Sequence, residues 1–199
     1  MKYIITGIIC AGLTFGFSSC NNTNTEQTVA VATASDSTPT APARPSNTDA
    51  YEDLRQLALT ASYQKLGLAL PSDRTVVYGV IMDWEFGGGI ATTVAFQTGD
   101  ASLYVSTGGA IVGGIGHANV RHAAKQMVTL AQSYLDKAIK TETSPLPMAN
   151  EVQFYLLTNK GIFVGQDQMK NFENNSSPWF KLFEMGNMLM KELRTTTGS

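Results

Sequence analysis

The sequence predicts an α+β domain that contains a five-stranded, mostly antiparallel sheet and three helices in the order α-β-β-β-α-β-β-α. Two observations favour this fold class. Apolar residues recur at helical spacing in three separate stretches, and short stretches rich in β-branched residues lie between them. These patterns fill residues 48–199, which is the usual size of one domain with one core.

The first half of this domain is predicted to form one helix and three strands. Asp49 and Glu52 can form a capping box, and apolar residues then recur at helical spacing until Ala61. Tight turns and glycines separate the β-branched stretches that follow. The predicted strands are residues 75–84, 90–97 and 102–106.

The second half is predicted to form a helix, a hairpin and a last helix. Apolar residues between Val120 and Ala138 mark one wide face, which is typical of a helix that covers a sheet. Ser177 is a good N-cap residue and Pro178 suits a first helical turn, so the last helix begins there. The hairpin strands between these helices are residues 152–158 and 161–165.

Residues 1–19 have the pattern of a secretory signal peptide, with a basic residue near the start, an apolar run, and small residues before a cleavage point. The stretch Phe17-Ser18-Ser19-Cys20 resembles the lipobox of bacterial lipoproteins. The resemblance implies diacylation of the Cys20 thiol with chains such as palmitate, cleavage before Cys20, and acylation of the new amino terminus.

The implied lipid anchor predicts where the protein works. Several acyl chains hold a protein stably on a membrane, whereas one chain does not. The residues after Cys20 lack an aspartate and an acidic cluster, which favours the outer membrane of the cell envelope and its periplasmic side. Cys10 lies in the segment that is removed, so the processed chain has no thiol left for a disulfide.

Residues 20–47 are predicted to be a lipidated, disordered tether. Threonine, serine, alanine, asparagine and proline dominate them, and such a stretch cannot bury enough apolar surface to fold. At about 3 Å per residue, the tether could reach roughly 80 Å. The sequence Asp36-Ser37-Thr38 resembles a bacterial O-glycosylation acceptor, which makes Ser37 a candidate for modification.

The charges of the chain argue against nucleic acid as a partner. There are 14 Lys and Arg residues and 16 Asp and Glu residues, for a net charge of −2, and no basic stripe appears in the sequence. Nucleic-acid binding needs clustered positive charge that releases counterions. The predicted partners are therefore the membrane, through the lipid anchor, and an unknown envelope protein or a second copy of the chain.

The predicted order of elements is similar to that of profilin-like and roadblock-like α+β domains, which are five-strand meanders interrupted by a helical crossover. It differs in placing three strands, rather than two, before the crossover helix. These domains commonly act by pairing through sheet edges or helices, so the resemblance implies an interaction module. The chain also resembles an uncharacterised bacterial domain family at these places: Asp83-Trp84, Ala91-Thr92, Gly108-Gly109, Val120-Arg121 and Phe154-Tyr155-Leu156-Leu157-Thr158.

The glycine-rich loop of residues 108–116 is the candidate ligand site. Glycines before a helix, here Gly113, Gly114 and Gly116, offer free N–H groups and the positive end of the helix dipole to an anion. The loop lacks the Lys-Ser/Thr pair of a P-loop and the third glycine of a dinucleotide fingerprint. The alternative is that these glycines let a strand bend and let the helix pack closely on the sheet.

Five titratable side chains could carry chemistry. His117 and Arg121 are four residues apart and share a helix face, so they could act as a general base and an anion clamp. His122 lies too far round that helix to bind one metal ion together with His117. Asp83 and Glu85 point to one side of a strand and could bind a cation or share a proton. The alternative is that these residues are a helix cap and solvated polar groups.

The sequence therefore predicts a membrane-anchored lipoprotein of the cell envelope that is a non-enzymatic interaction or accessory module. No catalytic residue, metal or cofactor is assigned. Two alternatives stay open: a sensor of a small ligand or anion that uses residues 108–116, and a hydrolase-type enzyme. The enzyme would use Asp83, His117 and Arg121, so a cleft that joins these three side chains would favour it.

Overall fold

A computed structural model describes residues 47–196 of the chain. Several predicted features lie outside the described residues: the signal peptide of residues 1–19, the lipidation site Cys20, the candidate glycosylation site Ser37, and nearly all of the tether. The helices, the sheet and the candidate ligand site all fall within the described part of the chain.

Residues 47–196 form four α-helices and seven strands. The helices are α1 (Asn47–Leu59), α2 (Ala118–Ala131), α3 (Met169–Glu173) and α4 (Phe180–Thr195). The strands are β1 (Val77–Phe86), β2 (Gly89–Phe96), β3 (Ala101–Val105), β4 (Ala110–Ile111), β5 (Ile139–Thr141), β6 (Glu151–Thr158) and β7 (Gly161–Gln168). Two 3₁₀ segments, Gly114–Gly116 and Gln132–Lys137, lie on either side of α2.

All seven strands belong to one antiparallel sheet with the order β4-β3-β2-β1-β6-β7-β5. The central strands β1 and β6 are buried along most of their length, whereas the edge strands β4 and β5 are short and exposed. Central strands are covered on both faces, which explains why β1 and β6 contain long apolar runs rather than a clear alternation.

The predicted five-stranded sheet with three helices is wrong, because the structure has seven strands and four α-helices. The missed elements are β4, β5 and α3, which have two, three and five residues. Elements of one turn or one pair of ladder bonds are too short to show a periodic apolar pattern. The helix that was expected to continue to Ala138 ends at Ala131 and is followed by the 3₁₀ segment and β5.

The two faces of the sheet carry different helices. Val80 and Met82 of β1 belong to the apolar core under α2 and α4, whereas Ile81 belongs to the cluster that contains Tyr51 of α1. Neighbouring residues in a strand point to opposite faces, so Asp83 shares the α1 face with Ile81. In the described part of the chain, no helix is long and apolar enough to span a bilayer.

Candidate functional site

The start of α2 borders an open cleft of about 480 Å³. Gly116 and His117 line it from the glycine-rich loop, and Glu192 and Thr195 line it from the end of α4. Two of the five predicted ligand-binding residues therefore lie at one cleft. The backbone N–H of His117 is already used, since it donates to the Gly114 carbonyl at 3.0 Å.

The three glycines of the predicted site have three different roles. Gly113 adopts a left-handed conformation, with φ of 81°, and turns the chain before the 3₁₀ segment. Gly114 permits close packing, because a Cβ atom there would lie 2.5 Å from Val120 Cγ1 and 2.9 Å from Leu193 Cδ2. Gly116 is open, with no heavy atom of the described chain within 4 Å of a Cβ atom. Packing therefore explains Gly114, as the alternative interpretation of the loop expected.

Arg121 does not pair with His117 as an anion clamp. Its Nη1 donates to the Ile115 carbonyl at 2.7 Å, which ties the glycine-rich loop to α2. The stem of Arg121 passes the turn between β2 and β3, where a Cβ atom on Gly99 would lie 3.3 Å from Arg121 Cβ. His117 occupies the N-cap position of α2, but within residues 47–196 its side chain makes no capping hydrogen bond. The predicted anion site therefore has a cleft, but Arg121, its predicted positive side chain, does not line that cleft.

Asp83 lies in a buried ion pair beneath α1. The Arg55 guanidinium donates to Asp83 Oδ2 from Nε at 2.9 Å and from Nη2 at 2.7 Å. The Thr92 hydroxyl donates to Asp83 Oδ1 at 2.5 Å. The Asp83 side chain is 0% exposed and the Arg55 side chain is 8% exposed, so solvent screens this pair very little.

The ion pair is the centre of a wider polar network that holds the segment between β5 and β6 against α1. Arg55 also donates to the carbonyl of Ser144 at 2.9 Å and to that of Pro145 at 3.2 Å. The Tyr155 hydroxyl donates to the same Pro145 carbonyl, and the Arg55 guanidinium lies 5.4 Å from the centre of the Tyr155 ring. The Arg55 and Asp83 side chains therefore connect α1, the sheet and this segment.

The two tyrosine hydroxyls near this pair are not suited to proton transfer near neutral pH. Burial raises the pKa of the Asp83 carboxyl, and the Arg55 guanidinium and the Thr92 hydroxyl oppose that rise. Burial, together with the Asp83 charge, raises the pKa of Tyr51 to about 12. Burial likewise raises the pKa of Tyr155 to about 12. General acid–base catalysis favours a pKa near the operating pH, and neither tyrosine meets that condition.

Glu85 does not share a cation or a proton with Asp83. Its carboxylate accepts the backbone N–H groups of Asn150 and Gly88, and these hydrogen bonds lower the pKa of Glu85. Asp83 instead bonds to Arg55 and Thr92, so each carboxylate has its own partners. Within residues 47–196, no group of three His, Cys, Asp or Glu side chains is arranged to hold a metal ion.

The structure does not bring the three residues of the enzyme alternative together. Asp83 lies under α1 on one face of the sheet, whereas His117 occupies the N-cap position of α2, which covers the other face. Arg121 bonds to the loop in front of α2. The sheet therefore separates the buried carboxylate from the two residues that were expected to work with it.

A groove between α2 and α4 was missed by sequence reasoning. It consists of two adjoining clefts, of about 340 and 500 Å³, which share His122 and Gln126. Met188 in the groove is 49% exposed. We call these two clefts the α2–α4 groove; their lining includes the basic Lys125 and Lys191, the acidic Glu192, and His122, Leu130, Met185 and Met188. These residues come from two helices that are far apart in the sequence, and only the packing of α2 against α4 makes them one surface.

Comparison with protein-family models, with curated proteins and with solved structures finds no match to this chain. The resemblance to profilin-like and roadblock-like domains therefore stays a prediction.

Proposed function

We propose that this chain is a lipid-anchored protein of the cell envelope whose folded domain acts as a non-enzymatic interaction module. The observation that carries the proposal is the α2–α4 groove. Leu130 and Met185 are half-buried there and Met188 is half-exposed, and polar side chains surround all three. An apolar surface with a polar rim is typical of a surface that binds another molecule.

The polar network under α1 also supports an interaction module over an enzyme. Asp83 accepts three hydrogen bonds from Arg55 and Thr92. A catalytic carboxylate needs access to substrate or water, and Asp83 is 0% exposed. Its contribution is to hold α1 on the sheet.

The lipid anchor is tested by the Cys20→Ala variant of the full chain. Because only a cysteine thiol can take the diacyl group, we expect the variant to incorporate no fatty-acid probe and to leave the membrane fraction or stay unprocessed. Metabolic labelling followed by membrane fractionation measures both effects, with Cys10→Ala as the matched control. Unchanged labelling of Cys20→Ala would contradict the anchor.

The interaction surface is tested by photo-cross-linking in intact cells. A photo-reactive residue at position 188 in the full chain should give cross-linked products, because the groove is expected to be occupied. Leu57 is the matched control position, since it is 68% exposed and lies on α1, on the other face of the sheet. Equal yields from positions 188 and 57 would show that the groove is not a preferred contact surface.

A further inference from the structure

Charge is distributed unequally between the two helical faces of the domain. Helices α2 and α4 together carry five basic residues and two acidic residues. The basic residues are Arg121, Lys125, Lys181, Lys191 and Arg194, and the acidic residues are Glu184 and Glu192. Helix α1 has the opposite character, because Asp49, Glu52 and Asp53 accompany a single Arg55 whose charge is paired with Asp83.

Two of these basic side chains lie in the α2–α4 groove next to apolar ones. Lys125 lines the cleft that contains the half-buried Met185, and Lys191 lines the cleft that contains Met188, together with the acidic Glu192. Apolar residues flanked by Lys and Arg are typical of helices that lie in a membrane interface. The long lysine stems can cover apolar surface while their ammonium groups reach phosphate groups. An anionic bilayer complements both the charge and the apolar part of this surface.

We infer that the α2–α4 groove docks on an anionic lipid surface and turns the acidic helix α1 away from it. The inference rests on the proposed lipid anchor, which keeps the domain next to a bilayer and needs only a weak second contact to orient it. The chain enters the domain at Asn47 of α1, on the opposite face. The predicted tether of residues 20–47, at about 3 Å per residue, would be long enough for the groove to face the membrane.

The experiment uses the lipidated full chain in vesicles, with a single introduced thiol. Met188→Cys is labelled with a dye whose emission shifts to the blue in lipid, and Leu57→Cys on α1 is the matched control. We expect a blue shift at position 188 in vesicles that contain phosphatidylglycerol, and none in vesicles of phosphatidylcholine alone. High salt should remove the shift, because it screens the attraction to the headgroups. Position 57 should not respond in either kind of vesicle.

Charge reversal gives the second part of the test. Lys125→Glu combined with Lys191→Glu should lower the ratio of lipid-facing to free dye at position 188 by about tenfold or more. The matched control, Lys65→Glu with Arg74→Glu, changes the net charge equally in the segment between α1 and β1 and should leave that ratio unchanged. Equal losses in both charge variants would overturn the inference.

Two outcomes separate the inference from the proposed function. If the wild-type protein fails to float with phosphatidylcholine vesicles, the lipid anchor is wrong. If the protein floats normally but the dyes at positions 188 and 57 respond alike to phosphatidylglycerol, the anchor stands and the docking face is wrong. Photo-cross-linking in intact cells gives a further check. If the photo-reactive residue at position 188 cross-links to protein and not to lipid, docking on lipid is also overturned.

Discussion

The Asp83→Ala variant is expected to lose about 3–5 kcal/mol of its free energy of unfolding. Removing the carboxylate leaves the Arg55 guanidinium buried without its counter-charge, and a buried unpaired charge is far more costly than a lost surface ion pair. Thr92 loses its acceptor in the same step. The segment at Ser144 and Pro145 should also loosen, because Arg55 holds both carbonyls.

Urea unfolding of the full chain, followed by circular dichroism, measures this loss. Asp53→Ala is the matched control, because Asp53 is an exposed carboxylate on the same helix as Arg55. The double variant Arg55→Met with Asp83→Leu should recover much of the loss, since it removes both charges and replaces them with apolar side chains. If Asp83→Ala lowers the free energy of unfolding no more than Asp53→Ala does, the buried pair does not hold α1 on the sheet.

The Gly165→Ala variant is expected to lose about 3 kcal/mol, at the upper end of the cost of overpacking. A Cβ atom at this position would lie 1.9 Å from Cζ2 and 2.1 Å from Cη2 of Trp179. The Trp179 ring cannot easily move aside, because it stacks between Phe154 at 5.4 Å and Tyr134 at 5.2 Å. The methyl group must therefore displace either β7 or the whole aromatic stack.

Thermal unfolding and the near-ultraviolet circular dichroism of the tryptophans measure the effect of Gly165→Ala. Gly116→Ala is the control, because among the described residues nothing lies within 4 Å of its Cβ position and its backbone is not left-handed. We expect that control to change stability by less than about 0.5 kcal/mol. Replacing glycine by alanine lowers the entropy of the unfolded chain and should by itself stabilise the fold, so similar losses in the two variants would contradict the Trp179 ring as the cause of the loss at position 165.

Much of the regular structure can be predicted from the local pattern of apolar residues, and the elements that cannot be predicted in this way have a physical feature in common. The strands β1 and β6 and the helix α2 contain long apolar stretches, and predicted strands or helices overlap all three. The edge strands β4 and β5 form because a neighbouring strand offers unpaired backbone groups, so their own sequences hardly mark them. The same reason explains why the predicted number of strands was wrong.

The arrangement of the candidate site depends on contacts between residues far apart in the sequence, which a local pattern does not predict. Glycines and His117 next to a helix start do predict a cleft at that place, and Gly116 and His117 line one. Arg121 was expected beside His117 because of its helical spacing, yet its side chain bonds to Ile115 in the preceding loop. Helical spacing says which face a residue is on, but it does not say which partner its long side chain reaches.

The sequence alone indicates the apolar periods of the helices and strands and the predicted lipidation of Cys20, because each depends on residues close together in the chain. The near balance of charge follows from composition alone. Tertiary structure alone decides that Arg55 meets Asp83, 28 residues away, and that Gly165 makes room for Trp179. It also decides that Lys125 of α2 and Lys191 of α4 line two adjoining clefts between these helices. These outcomes depend on strand register and on the packing of helices against the sheet, which are set by the whole core at once.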